Sequence, residues 1–515
     1  MCSTPQYKFV TFGDEEGSFQ PADKATRSHA IRTAIQRGPS EIGANTALTS
    51  KGTITHKSQL KGRFRLSGTS SRPAQKRGKQ ATSSDSRPAQ ATFEIIPPSP
   101  LPPWIQRLGS DNADPFNTLP IPSNPSVDSL VKYFITRFNL NSTTTDTQRP
   151  WFPYAMQSAL IMRVTLSLAA EFLNQAMPLL DLRLKREGYR QKGEAMRMIR
   201  NRLESQESAR SASEDLAVLA GVAMLGSVEA FQGNFDAANV HLTGLYAMIE
   251  ARGGPDTIRH DYILCRCINW IDIQVASGLG RIPKFPMFHT LDQVSLPSSV
   301  VNRAMTPSLR HMDKLGGHNP GESNEPRKIF TTLRQAIFSQ AGSVSADTIR
   351  IVMNTADSSI LQFLYVERRS ATPVQKRFLV LVSAAQVFLY AVLREIPTTG
   401  HMVRILVARL RAALDDADSI ALVWVSHDAT LMWVLFVGIV GSGTTEDRQW
   451  FTCRLHDVLD RARDILPPDR CDRQSLQQLL AGFLWLDRFC LPVLDEIWVQ
   501  WERNSTQEQL NKAVK

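Results

Sequence analysis

Cysteine is scarce in this chain of 515 residues: Cys2, Cys265, Cys267, Cys453, Cys471 and Cys490 are scattered along it. No disulfide framework follows from such spacing, and the start, MCSTPQYKFV, lacks the apolar core of a secretory signal. Nucleus or cytoplasm is the expected compartment. Long hydrophobic runs are missing as well. The most apolar stretch, ATLMWVLFVGIVG at 429–441, falls well short of the ~20 residues that cross a bilayer. It reads as a buried helix, and no membrane association is expected. Strand-type alternation nowhere runs long enough to suggest a sheet. GxGxxG after a strand, GxxxxGK[ST], GxSxG and HExxH are all lacking. The chain is therefore not expected to be an enzyme, and no cofactor is implied.

What is present is an uneven charge. The whole chain carries +10. Residues 1–100 hold 15 Lys or Arg against 7 Asp or Glu, so the remainder is close to neutral. A near-neutral body argues against a broad phosphate-binding surface on the folded part.

Four segments follow from composition. Residues 1–100 are rich in Ser, Thr, Gly, Pro, Gln and basic residues and have too few apolar side chains to offset ordering entropy, so they read as a disordered basic arm. Within it, DKATRSHAIRTAIQR at 23–37 could form one short helix, begun by Asp23 and stopped by Gly38-Pro39. Residues 101–125 form a proline-rich linker. Residues 126–502 have helical periodicity throughout, and 503–515 form a polar tail. Leu216, Leu219, Ala220, Ala223 and Met224 line one helical face, and Leu476, Leu479, Leu480, Phe483 and Leu484 repeat that spacing. Phe378 to Leu393 is apolar nearly all round, as a central helix should be. Breaks are expected at Gly253-Gly254-Pro255, 313–326, 397–400, 441–447 and Pro467-Pro468. Roughly ten to fourteen helices of ordinary length fill the span, giving an all-α fold with a large multi-helix domain behind the arm.

Candidate sites are few. Cys265 and Cys267 are a CxC on a helix, where i and i+2 point to different faces, and read as buried small hydrophobes. His427-Asp428 reads as an N-cap or loop pair. Asp415-Asp416 with Asp418 is the nearest thing to a metal-binding carboxylate motif and looks like a helix end. Between 51 and 80 there are nine Lys or Arg and no acid, including Lys61, Arg63, Arg65, Lys76, Arg77 and Lys79. Mobile cations of this kind serve nuclear import or contact DNA phosphate weakly and non-specifically by releasing counterions. They also occur in solvated linkers. Phe64 is the only aromatic in the run, so base stacking is not indicated.

Several motifs in chain order resemble one family. FVTF at 9–12, KATRSHAIRTAIQR at 24–37 and DPFNTLPI at 114–121 lead to AVLAGVAMLGSVEAFQGNFDAANVHLTGLYAMIEARGG at 217–254. INWIDIQVASGLGRIPKFP (268–286), LMWVLFVGIVGSGTTEDRQWF (431–451) and LLAGFLWLDRFCLPVLDEIW (479–498) follow. Together they resemble the fungal-specific transcription factor domain, in the subgroup without the Zn2Cys6 cluster, since only Cys2 lies in the first 260 residues. Glu229, Gly233, His241, Gly244, Gly253 and Gly254 fall on the family's hairpin motif. Read physically, Gly233 fits a left-handed helix end and Asn234 or Asp236 starts the next helix. Leu242, Leu245, Met248 and Ile249 form that helix's apolar face. Gly244 would admit a close neighbour, Gly253-Gly254 would stop the helix, and Glu229 would pair with His241.

The resemblance implies a nuclear transcription regulator acting through its helical domain on regulatory proteins, with room for an unidentified small-molecule effector. The competing readings are an interaction scaffold with no DNA contact and, more remotely, an unrecognised helical enzyme of terpene-cyclase type.

Overall fold

The computed structural model describes residues 118–137, 151–177, 182–204, 215–305, 324–340, 344–366, 372–415, 427–465 and 472–513, with Met312, Leu315 and Trp424 besides. Among the described residues every regular element is helical, and there are sixteen α-helices. That exceeds the expected ten to fourteen because several are shorter than the ordinary length. The basic arm with its candidate helix at 23–37 lies outside the described residues, as does most of the proline-rich linker.

The first half of the domain is built from α1 (Pro125–Arg137), α2 (Trp151–Ala155), α3 (Ala159–Ala176), α4 (Leu182–Leu203), α5 (Leu216–Phe231), α6 (Phe235–Ala251), α7 (Tyr262–Leu279) and α8 (Ser298–Ala304). Local chemistry sets several of these starts. Ser158, Asp215 and Asp261 are N-caps whose side chains accept from the Ile161, Ala217 and Leu264 amides, satisfying donors that have no partner within the helix. Gly280 ends α7 at φ +71°. Helix α5 is buried from Val218 to Phe231. The apolar face expected there is therefore only part of a helix enclosed by α3, α6 and α7.

The second half comprises α9 (Asn324–Ser339), α10 (Ala346–Tyr365), α11 (Pro373–Phe388), α12 (His401–Asp415), α13 (Asp428–Gly441), α14 (Thr445–Ile465), α15 (Arg473–Ala481) and α16 (Asp487–Ala513). Helix α11 opens with a capping box, Thr372 with Gln375, and Pro373 in its first turn. It continues through a single π turn, Leu389–Leu393. This stretch is long and apolar enough to cross a membrane, but 78% of its most apolar window is buried inside the protein. It is the central core helix expected. Helix α13 is the buried 429–441 run, and α16 carries the helix on through most of the polar stretch 503–515.

One expected helix is shorter than its pattern. The 476–484 spacing suggests a continuous face, but α15 stops at Ala481 with Gly482 as its C-cap. Phe483 and Leu484 are still buried. Trp433 stacks on Phe483 at 5.3 Å, and its indole N–H donates to the Leu484 carbonyl at 3.1 Å. Tertiary packing thus replaces the helical turn without moving the side chains out of the core.

The main apolar core draws side chains from Ile121 to Trp501, and a small second cluster joins Ile273, Ala276 and Leu361. Close approach of helices is a matter of small residues at particular crossings. At Gly188 of α4 a Cβ would sit 2.5 Å from the Ala170 Cβ of α3, whereas at Gly244 of α6 it would meet nothing within 4 Å. The expectation of a close neighbour at Gly244 is therefore wrong, since that residue faces solvent. Gly188→Ala should lower stability by about 1–3 kcal/mol through overpacking, and Gly244→Ala should raise it by up to about 1 kcal/mol as an exposed helix interior site. Urea unfolding of both variants checks the pair, and equal effects would contradict this packing.

Candidate functional site: the signature hairpin and the polar core behind it

Helices α5 and α6 form a hairpin whose turn is Gln232-Gly233-Asn234. Gly233 takes φ +80°, the left-handed conformation that glycine adopts without steric cost, and the Asn234 amide closes the turn on the Glu229 carbonyl at 2.9 Å. Asn234 occupies the N-cap of α6, but its side chain makes no capping bond. Its amide donates instead to Glu229 Oε2 at 3.0 Å. Leu242, Leu245 and Ile249 are buried with Met248 packed beside them. Gly253 and Gly254, at φ +109° and +94°, stop α6 as expected.

The expected Glu229–His241 pair does not form. Glu229 binds Lys192 Nζ from α4 at 2.7 Å, and the same ammonium donates to Gln232 Oε1 at 2.7 Å. Gln232 in turn donates to Glu171 Oε2 of α3 at 3.1 Å. Gln175 donates to Glu171 Oε1 at 3.0 Å and to the Phe231 carbonyl. The hairpin tip is thus pinned to two other helices by a chain of polar groups. Burial alone would raise the Glu229 carboxyl, but hydrogen bonds from Lys192 and Asn234 bring it below the usual range. It is ionised and committed to its partners, which suits a structural anion and not a general base. His241 feels the Glu229 charge, but burial outweighs it and lowers the imidazole pKa.

A second polar centre lies deeper. Asp357 of α10 and Arg394, just after the π turn, form an ion pair at 3.0 Å with both side chains fully buried. Arg394 also donates to Asn354 Oδ1 at 2.9 Å and lies over the Trp270 ring at 4.6 Å. Tyr390 shares a 2.8 Å hydrogen bond with Ser277. Burial pushes Asp357 up to about 6, with the Arg394 charge opposing it. On α7, Asp272 accepts from the Lys284 and Phe285 amides at 2.9 and 2.6 Å, and Asn269 is bonded to Pro286 and Phe288. These side chains hold the segment after α7 against it. None of these partners is signalled by local sequence spacing, because each joins residues from separate elements.

The remaining candidates resolve structurally. Cys265 and Cys267 are both buried, and burial pushes each thiol up to about 12. His427 is the N-cap of α13 without a side-chain capping bond, and Asp428 pairs with Arg461 at 3.3 Å. Asp415 is the last residue of α12, while Asp416 and Asp418 lie outside the described residues, as do Lys61, Arg63, Arg65, Lys76, Arg77 and Lys79. A small cleft opens beside Glu171, Lys185 and Tyr189, and another lies between α12, α13 and α14.

Residues 129–321, from α1 past α8 and centred on this hairpin, match the model of the fungal specific transcription factor domain. The match covers less than half of the chain, and helices α9 to α16 lie beyond it. Searches of curated proteins and of solved structures returned no match. Within the matched segment, the hairpin glycines and Glu229 hold the framework in place, and among the described residues they assemble no nucleophile with a base.

His241 gives this assignment a pH test. Its folded pKa is lowered, so below the ordinary value of 6.5 the unfolded chain binds the extra proton and the fold loses stability as pH falls. In His241→Gln that loss is absent. The urea midpoint of the variant should therefore gain on the wild type as pH drops from about 7.5 to 5.5. A pH-independent difference would show that His241 is not held neutral.

Proposed function

We propose that this chain is a transcription regulator of the nucleus that acts through its helical domain on regulatory proteins and carries no zinc cluster of its own. The observation that carries the reading is the match of residues 129–321 to the fungal specific transcription factor domain. Two physical features support it. The polar groups at the hairpin are ion-paired and hydrogen-bonded into the framework, as expected of a domain whose work is done at its surface. The chain's positive charge is concentrated in residues 1–100, and such an arm supplies nuclear import or non-specific phosphate contact without reading sequence. Sequence choice would then come from the partner. An all-helical transcription factor domain also speaks for a non-enzyme.

The test is where the chain sits in a fungal cell and on the genome. Tagged full-length protein should be nuclear and should cross-link at discrete promoters. Replacing Lys61, Arg63, Arg65, Lys76, Arg77 and Lys79 with Gln should cut nuclear accumulation or promoter signal at least severalfold. A cytoplasmic protein with no promoter signal, unchanged by those substitutions, would overturn the reading in favour of a cytoplasmic scaffold.

A further inference from the structure

Helix α4 is unusual for a surface helix. Its 22 residues, LRLKREGYRQKGEAMRMIRNRL, hold eight Lys or Arg against two Glu. Its inner face is narrow: Glu187, Gly188, Gln191, Ala195 and Ile199 are buried. Its outer face carries Leu182, Tyr189, Met196 and Leu203, which are 74, 50, 39 and 41% exposed. These four are each seven residues apart. On a straight α-helix a seven-residue step returns to within about 20°, so they form one stripe, and 21 steps of 1.5 Å make it about 32 Å long.

Of the eight cations on this helix, Arg183 has a contact of its own and the other seven fall into two sets. Arg190, Arg197, Lys192 and Arg202 pair with Glu187, Glu194, Glu229 and Asp215. Lys185, Arg186 and Arg200 are exposed and have no ion pair among the described residues. The face therefore offers regularly spaced apolar anchors bordered by uncompensated positive charge.

We propose that this face docks an acidic amphipathic helix of a partner protein. The partner lays apolar side chains along the Leu182–Tyr189–Met196–Leu203 stripe and sets carboxylates against Lys185, Arg186 and Arg200. Charge complementarity selects this occupant. A second copy of α4 would bring two strongly positive faces together. A nucleic acid gains nothing from a mostly aliphatic stripe, since bases are held by aromatic stacking. An anionic bilayer takes a helix with a broad apolar face, which one exposed apolar residue per two turns does not supply. The inference gives the partner-binding reading a surface and a chemistry, and rests on it only in assigning that work to this domain.

The experiment uses the full chain and a fluorescent synthetic peptide of about three heptads, with leucine in the seam and glutamate flanking it. Saturable binding that weakens with salt is expected. The double variant Tyr189→Glu, Met196→Glu should weaken it at least about tenfold, an anchor-sized loss. The triple variant Lys185→Glu, Arg186→Glu, Arg200→Glu should lose the acidic peptide and gain the same peptide with lysine in place of glutamate. All five positions are exposed, and an unchanged urea midpoint confirms that the variants fold. Binding that ignores these substitutions, or stronger binding to phosphatidylserine vesicles or duplex DNA than to the peptide, would overturn the proposal. Peptide binding without promoter association would leave this surface standing and refute the transcriptional reading instead.

Discussion

The fully buried ion pair between Arg394 and Asp357 ties together three elements of the domain that are separate in sequence. Removing two charges from water is costly and is offset only when the remaining donors and acceptors are also placed. Arg394 donates to Asn354 as well as Asp357 and covers the faces of Trp270 and Tyr390. Three elements are thereby fixed: α7 through Trp270 and Ser277, α10 through Asn354 and Asp357, and the π turn that ends at Leu393. The π turn and the left-handed Glu395, φ +52°, redirect the chain just after this point, so the local backbone irregularity coincides with the placement of the buried cation. Arg409 of α12 completes the arrangement by donating to the Ser277 and Gly278 carbonyls at the end of α7, where backbone acceptors lack helical partners.

Around that centre the hairpin of the matched segment is held from outside by Lys192, Gln232 and Glu171. The two polar assemblies behave alike in that their charges are matched and their carboxylates are committed to partners. Much of the remaining charge lies on the surface of this helical body. There the positive charge is not spread evenly, because the near-neutral domain gathers an excess on α4, next to a row of exposed apolar side chains.

Much of this was legible in the sequence, and the reason is locality. Gly233, Gly253 and Gly254 mark backbone positions that few other residues tolerate, and the apolar spacing of 242, 245 and 249 is a property of one helix. The all-helical class followed from the absence of alternation. What failed involved contacts between elements. In the sequence Glu229 has His241 as its nearest histidine along the hairpin, but its partner, Lys192, comes from α4, 37 positions earlier in the chain. Gly244 has the same composition as a packing glycine, and only the neighbouring helices reveal that the close crossing is at Gly188. Arg394 gave no signal, since a lone arginine at the end of an apolar helix looks like a solvated boundary. The heptad on α4 was readable in principle, but the abundance of Lys and Arg hides it from any search for apolar periodicity.

The most direct measurement of the account's central claim, that the domain is organised as a fixed framework around its buried charges, is a double-mutant cycle on the pair. Asp357→Asn and Arg394→Met should each cost roughly 3–5 kcal/mol, because each strands a buried partner, and the double variant should recover much of that loss. Additive losses, or single losses no larger than those of a surface pair, would show that the two residues are not coupled and that the framework is held elsewhere.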